Sequence, residues 1–378
     1  PELKRPRDSR EFVMQRMIED IDFAIRYLPA ERDLYRVTKW TALALKSRFC
    51  LFEGTFRKYH SIDGYEHDWK WYLEQAADAA EEFITNSGYS LYTATGPATS
   101  YRDLFASENA QSVEVILARD YNSALGVFHN ANFYTISASY GKPGMTRKIV
   151  DSYLMADGSR FTDKAGWETM EFKQQCSNRD PRLAQTIRTP GYTRIGATTK
   201  LAPDLANSIT GYHVVKFVTG TAQDAYNKSF NDLPIFRSAE VYLNFAEAAM
   251  EANHSAEAIT YVNKVRARVG MPGLPAGLTG DALRQRIHNE RRVELALEGN
   301  RYFDVRRWHK PDEDLSDTDR WVTAAHITHM NDGSYKYERT TIKERQCYTN
   351  KWLKMPVPLS EVNNMRAITG EDWQNPGW

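Results

Sequence analysis

Residues 121–144 read YNSALGVFHNANFYTISASYGKPG, and there Phe128, Phe133, Tyr134 and Tyr140 interleave with His129 and Asn132. That mixture suits carbohydrate. A flat apolar ring covers the C–H face of a pyranose, while neighbouring amide, imidazole and phenol groups bond its hydroxyls. The same rings would equally serve as anchors tying a loop to its scaffold. Trp167 beside Gly166 in KAGWETM, Tyr192 in TPGYTR and Trp321 in TDRWVT extend the set of candidate ligand-binding residues. Trp69 and Trp71 in HDWKWY stand two apart, so on a helix they cannot share a face and at least one is expected outside the core.

Carboxylates offer a second chemistry. Leu283, Ile287, Glu290, Glu294, Leu297 and Arg301 step by three and four, which places two glutamates on a seam of Leu and Ile. A carboxylate taken out of water must be paired or neutralised. Arg237, Arg266, Arg268, Arg291 and Arg292 are the available partners, so one reading is a buried ion-pair network. The other is an acid/base pair, one helical turn apart, as in a glycosidase. Asp120 and Asp157, near the loop-rich part of the chain, are alternative hydrolytic carboxylates.

Catalytic signatures are absent: no GxSxG, HExxH, Walker A or strand-borne GxGxxG occurs. His288 and Glu290 form HxE without the PCxxC of a zinc deaminase. His326 and His329 are the closest of nine scattered histidines, and no metal site or cofactor is expected. Cys50, Cys176 and Cys347 form no CxxC; Cys50 falls in a helical pattern and reads as a small buried apolar residue. One disulfide or three thiols are both open.

The elements that must position these groups divide by period. Ser9 to Leu28, Thr38 to about Phe56 and Asp68 to about Thr85 read as amphipathic helices. Three more follow from Ile235, with Ser255 capping the second and Thr279 or Asp281 opening a third that runs on towards Trp308. Small alanines facing aromatics suit close helix pairing in a stacked repeat. Between Gly88 and Leu233 the helical period fades. SVEVILA and HVVKFV (213–218) are short strand candidates among turn-forming sequences such as GKPG, ADGS and RTPG. Residues 310–346 read as a polar excursion before a closing WLKMPVP strand. The expected segments are 1–87 (helical scaffold), 88–234 (loop-rich, ligand-facing), 235–308 (scaffold again) and 309–378 (closing), together one compact domain.

Lys+Arg and Asp+Glu both number 49, a formal net charge of +0, which gives no footprint for nucleic acid or an anionic membrane. A local basic stretch, Arg188–Arg194, is the exception that would suit an anionic glycan. Aromatics make up 12%, with 21 Tyr and 9 Trp, compatible with a helical-repeat core or a sugar-stacking surface. No run approaches a membrane span.

FRSAEVYLNFAEAAMEA, AITYVNKVRARVGMPGL and above all IHNERRVELALEGNRYFDVRRW resemble the SusD/RagB glycan-binding lipoproteins of Bacteroidetes. The resemblance extends upstream through TKWTALALKSRFCLFEG, KIVDSYLMADG and NRDPRLAQTI, and downstream through WLKMPVPLSEVNN and QNPGW. It implies a mainly α fold, a tetratricopeptide-like scaffold carrying an irregular second layer. It implies a non-catalytic surface protein that captures oligo- or polysaccharide and delivers it to a SusC-like TonB-dependent transporter. It also implies an outer-membrane lipid anchor on an N-terminal part that precedes Pro1 in a longer protein. Trp40, Trp308, Trp352 and Trp378 fall within the family-like phrases and are assigned to packing. A polysaccharide hydrolase and a protein-binding helical scaffold remain as readings from other classes.

Overall fold

The helix at Ser238–Glu251 is buried along its whole length, and the rest of the scaffold is wrapped around it. The computed structural model describes residues 7–137, 139–308, 321–344 and 350–378, with the side chains of 321 and 322 excepted. Its helices are α1 (Arg10–Tyr27), α2 (Lys39–Tyr59), α3 (Trp69–Asn86), α4 (Ser100–Ala106), α5 (Ala131–Ile136), α6 (Arg147–Ser152), α7 (Phe172–Cys176) and α8 (Arg182–Thr186). The central α9 (Ser238–Glu251) precedes α10 (Ser255–Arg268), α11 (Gly280–Glu294), α12 (Asn300–Trp308) and α13 (Leu359–Thr369). Strands β1 (Val115–Arg119) and β2 (Leu233–Arg237) pair antiparallel, as do β3 (Trp321–His329) and β4 (Tyr335–Glu344).

The first three helices start where the caps place them. The Ser9, Thr38 and Asp68 side chains each accept a backbone N–H of the first turn, and Thr38 forms a capping box with Thr41. One core joins α2, α3, α9, α10 and α11 through Trp40, Leu43, Phe83, Leu243, Val262 and Ile287. Alanines 44, 80, 246 and 258, each at most 1% exposed, let the helices approach. α1 packs on this body through Met14 and Ile18, against Cys50, Leu51 and Tyr72. Trp69 and Trp71 are both half-buried at that edge, with Trp71 stacked on His67 at 3.8 Å.

The buried glutamates of this scaffold are all paired. Glu294 accepts from Arg237 (2.7 Å), Arg182 (2.9 Å) and Arg268, and Glu290 is bridged by Arg182 and Arg266. Glu114 binds the same Arg237 and Arg268, which ties β1 to the helices. Glu247 of α9 takes Arg307 and the Trp308 indole N–H, and Arg291 lies 3.3 Å from it. The network reading of Glu290 and Glu294 therefore holds. Its membership is wider than the sequence indicated: Arg182, Asp180, Glu114 and Glu298 join, while Arg291 serves Glu247 and Asp304 instead.

Several expected elements differ. Ile235–Arg237 belongs to β2, and α9 begins only at Ser238, because β1 offers Arg237 a strand partner in Val115. The third repeat helix is broken. Leu297 and Gly299 adopt positive φ, so α11 ends at Glu294 and α12 starts afresh at Asn300, leaving Leu297 46% exposed rather than on the seam. Ser255 is the first helical residue of α10 rather than its cap, which falls on His254 without a side-chain bond. The stretch 213–218 is not a strand: Val215 N–H reaches Thr186 and Val218 N–H turns back to Val215, with Phe217 at φ 68°. Burial gave it an apolar run, but only His213 and Val214 make isolated antiparallel bridges, to Gly144 and Ile187. The polar excursion contains the β3–β4 hairpin, turned at Gly333, and no closing strand forms at WLKMPVP, where Asn350–Leu353 is a 3-10 turn. Cys50 and Cys176 are free thiols; Cys347 lies outside the described residues.

Candidate functional site

Four rings meet on the surface, two from α5 and one from each of two loops. Phe133 is the hub, with its centroid 4.8 Å from Tyr140, 5.4 Å from Tyr226 and 5.6 Å from Tyr134. Tyr134 and Tyr140 are 6.1 Å apart. Phe133 is half-buried, whereas Tyr134, Tyr140 and Tyr226 are 46%, 50% and 58% exposed. Three amphipathic rings around an apolar hub leave faces for stacking and hydroxyls for hydrogen bonds.

A six-residue helix has little intrinsic stability, so polar side chains must hold this one in place. Asn132, fully buried, donates to Thr219 Oγ1 (2.9 Å) and Asp224 Oδ1 (3.1 Å) and accepts from Thr219 N–H (3.0 Å). His129 pairs its backbone with Ser229, accepts Ala131 N–H at Nδ1 (3.1 Å) and donates from Nε2 to the Asn231 carbonyl (2.9 Å). Burial lowers its pKa, in keeping with that neutral tautomer. Asn130 and Asn227 bond each other at backbone and side chain, which seats Tyr226 beside Phe133.

Phe133, Tyr134 and Tyr140 thus come together, while Asn132 and His129 are spent on holding the loop. Phe128 has Lys228 Nζ over its ring at 5.5 Å. Trp167 belongs to another neighbourhood. It meets Phe161 edge-on at 6.1 Å, its carbonyl accepts from Arg147, and its ring faces Arg147 and Arg339. Tyr192 is only 8% exposed and forms part of a pocket wall with Arg188 and Arg194. Trp321 opens β3 opposite Glu344, and its side chain lies outside the described residues. The sequence reading missed Tyr226: in TAQDAYNKSF it is a lone ring in a polar loop, and the 129–229 bridge with the Asn130–Asn227 bonds brings it to Phe133.

Of the candidate carboxylates, Glu290 and Glu294 are held in buried ion pairs with arginines. Burial alone would raise the Glu294 pKa, but Arg268, Arg237 and Arg182 hold it far below the usual range. Asp157 is exposed and accepts from Ser159 N–H and Oγ in a local turn, and Asp120 is exposed. Among the described residues no group of three or more His, Cys, Asp and Glu is placed to hold a metal ion. His326 pairs across the hairpin with Glu338, and His329 packs on Tyr335.

The sequence model of the SusD family matches residues 103–378. The chain belongs to the SusD family. A SusD-like protein of Formosa agariphila, P25, is 23% identical over 98% of the chain and 66% of its own length. A SusD-like protein of Bacteroides ovatus is 24% identical over 82% of the chain and 54% of its own. This SusD family chain therefore spans two thirds or less of the length of those relatives. A solved SusD-like protein from Bacteroides fragilis superposes with a TM-score of 0.75 at 24% identity, covering 99% of the chain and 72% of its own. A structure described as carrying a xylogluco-oligosaccharide gives 0.70 at 21% identity, covering 97% and 73%. The shared fold is the SusD fold: helical scaffold on one side, irregular layer on the other.

Proposed function

We propose that this SusD family chain is a non-catalytic glycan-capture protein whose oligosaccharide site is the cluster of Phe133, Tyr134, Tyr140 and Tyr226. The observation that carries the reading is the exposure of three tyrosines, each in contact with Phe133 on a helix bolted down by Asn132. Folded proteins rarely leave such a group uncovered without a partner for it. Binding would consist of ring stacking plus phenol hydrogen bonds, and no bond of the glycan is broken. A xylogluco-oligosaccharide bound by a protein of the same fold supports carbohydrate as the ligand class.

Family membership supports the wider setting. The chain would act at the cell surface, attached to the outer membrane by a lipid on a segment that precedes it, and would pass its glycan to a SusC-like TonB-dependent transporter. No helix among the described residues is long and apolar enough to cross a membrane.

The test is calorimetric titration with a panel of oligosaccharides, xyloglucan fragments included, each mixture being checked afterwards for new reducing ends. Binding without cleavage, weakened by Tyr134→Ala or Tyr140→Ala, is the expected result. Cleavage would replace this reading with a hydrolase. Binding indifferent to both substitutions would move the site away from the cluster.

A further inference from the structure

Behind α5 lies a pocket of about 200 Å³ whose polar wall is incompletely bonded. Ile136, at the end of α5, forms one side, so the pocket and the ring cluster are built on the same helix. Asp224 links them again, since it binds both Asn132 and Arg194, a residue of the pocket wall. At about 30 Å³ of liquid per water molecule, the space has the volume of several waters, too small for an oligosaccharide but suited to one ring.

Three buried wall atoms lack a hydrogen-bond partner among the described residues: Arg188 Nε, Asn207 Oδ1 and His213 Nδ1. His213 is 3% exposed and Asn207 9%. The Arg188 side chain is 12% exposed, and its ion partner Asp204 stands back at 3.9 Å. A buried polar atom left unmet loses its bond to water and gains none in return, so three in one cavity ask for a ligand or for ordered water.

Their chemical sense can be assigned. His213 Nε2 faces the Thr135 carbonyl at 3.0 Å and must donate to it. Burial lowers the His213 pKa; Arg188 and Arg194 add to that, against the Thr135 carbonyl and Asp204. The ring is therefore neutral, and Nδ1 presents a lone pair. Asn207 Nδ2 donates to Asp204, which fixes Oδ1 as an acceptor. The unmet atoms of the wall are thus two acceptors and one guanidinium donor, beside the Tyr192 ring and an Arg194 already paired with Asp224. A carboxylate or sulfate would meet the donor but confront both lone pairs and Asp204. A hydroxyl satisfies both kinds, accepting from Arg188 while donating to His213 or Asn207. Leu201, Val214, Val215 and Val218 supply an apolar side for ring C–H groups.

We propose that this pocket is a second sugar subsite, taking one neutral, hydroxylated ring such as a terminal or branch unit of a glycan. It rests on the glycan-capture reading and adds a preference for neutral over acidic units.

The experiment is histidine-15N NMR of the whole chain, with His213 assigned by its loss in His213→Gln. The titrants are millimolar D-galactose, D-xylose and sodium D-glucuronate. At least one neutral sugar is expected to shift the His213 Nδ1 resonance, with glucuronate weaker. Arg188→Met and, independently, Asn207→Ala should each raise the dissociation constant about tenfold, with an unchanged circular dichroism spectrum confirming the fold. No response to either neutral sugar, a response to glucuronate alone, or variants that bind as the parent would each overturn the proposal. Oligosaccharide binding lost in Tyr134→Ala with no His213 response would sink the pocket and leave the ring cluster standing. A His213 response with oligosaccharide binding unaffected by Tyr134→Ala would do the reverse.

Discussion

At the residue scale, this protein separates side chains that hold from side chains that present. Asn132 and Phe133 are neighbours in sequence, yet one is fully buried with four hydrogen-bond contacts and the other is the hub of an exposed ring group. The presenting residues should behave as affinity anchors. Tyr134→Ala and Tyr140→Ala should each cost about 2 kcal/mol of oligosaccharide binding, roughly thirtyfold in Kd, without lowering the melting temperature. Calorimetry beside a thermal melt checks both halves. Glu294 is the opposite case, buried among three guanidinium groups. Glu294→Gln strips the charge they share and should destabilise the fold by about 3–5 kcal/mol, read from urea unfolding.

At the element scale, caps and close approaches decide which pieces of the pattern become structure. Thr38 and Thr41 form the box that starts α2, and Thr38→Ala should cost about 1 kcal/mol in urea unfolding. The β3–β4 hairpin reaches the irregular layer where Gly211 adopts φ 79° against Ile327 and Tyr337. A methyl group there collides with Ile327 and strains the backbone as well. Gly211→Ala is therefore expected to loosen the hairpin, seen as faster limited proteolysis near Met330–Ser334, while the α2–α3 core keeps its protection. The long helices were legible because one face is continuously buried, as Leu43, Leu51, Leu73 and Phe83 show. The break at Leu297–Gly299 was not, because Leu297 keeps the heptad-like spacing while its backbone has left the helix.

Over the whole molecule, the buried carboxylates set the response to acid. Burial alone would raise Glu247, Glu294, Glu298 and Asp304, but their arginine and lysine partners hold all four below the ordinary values of 4.5 and 3.8. Folded values lie below unfolded ones, so the stabilisation is complete above that ordinary range and is lost as pH falls through and beneath it. Melting temperature should be level from neutrality down to about that range and then drop steeply, and Glu294→Gln should flatten the drop.

The sequence by itself determined the helical scaffold, the starts of its first three helices, the carboxylates on the third repeat's apolar seam and the family, because all of these are written in local spacing or in extended motifs. It also indicated Phe133, Tyr134 and Tyr140, since neighbouring rings in one polar loop can be read without knowing the fold. Only the tertiary structure decided that Tyr226 completes the group, that His129 and Asn132 support it, and that Arg188, Asn207 and His213 share a pocket. Those contacts join segments far apart in the chain through a bridge such as His129–Ser229, and no periodicity records which loop will lie against which. The hairpin was hidden for a related reason: its two polar strands satisfy each other's backbone, a pairing that alternation of apolar residues does not announce.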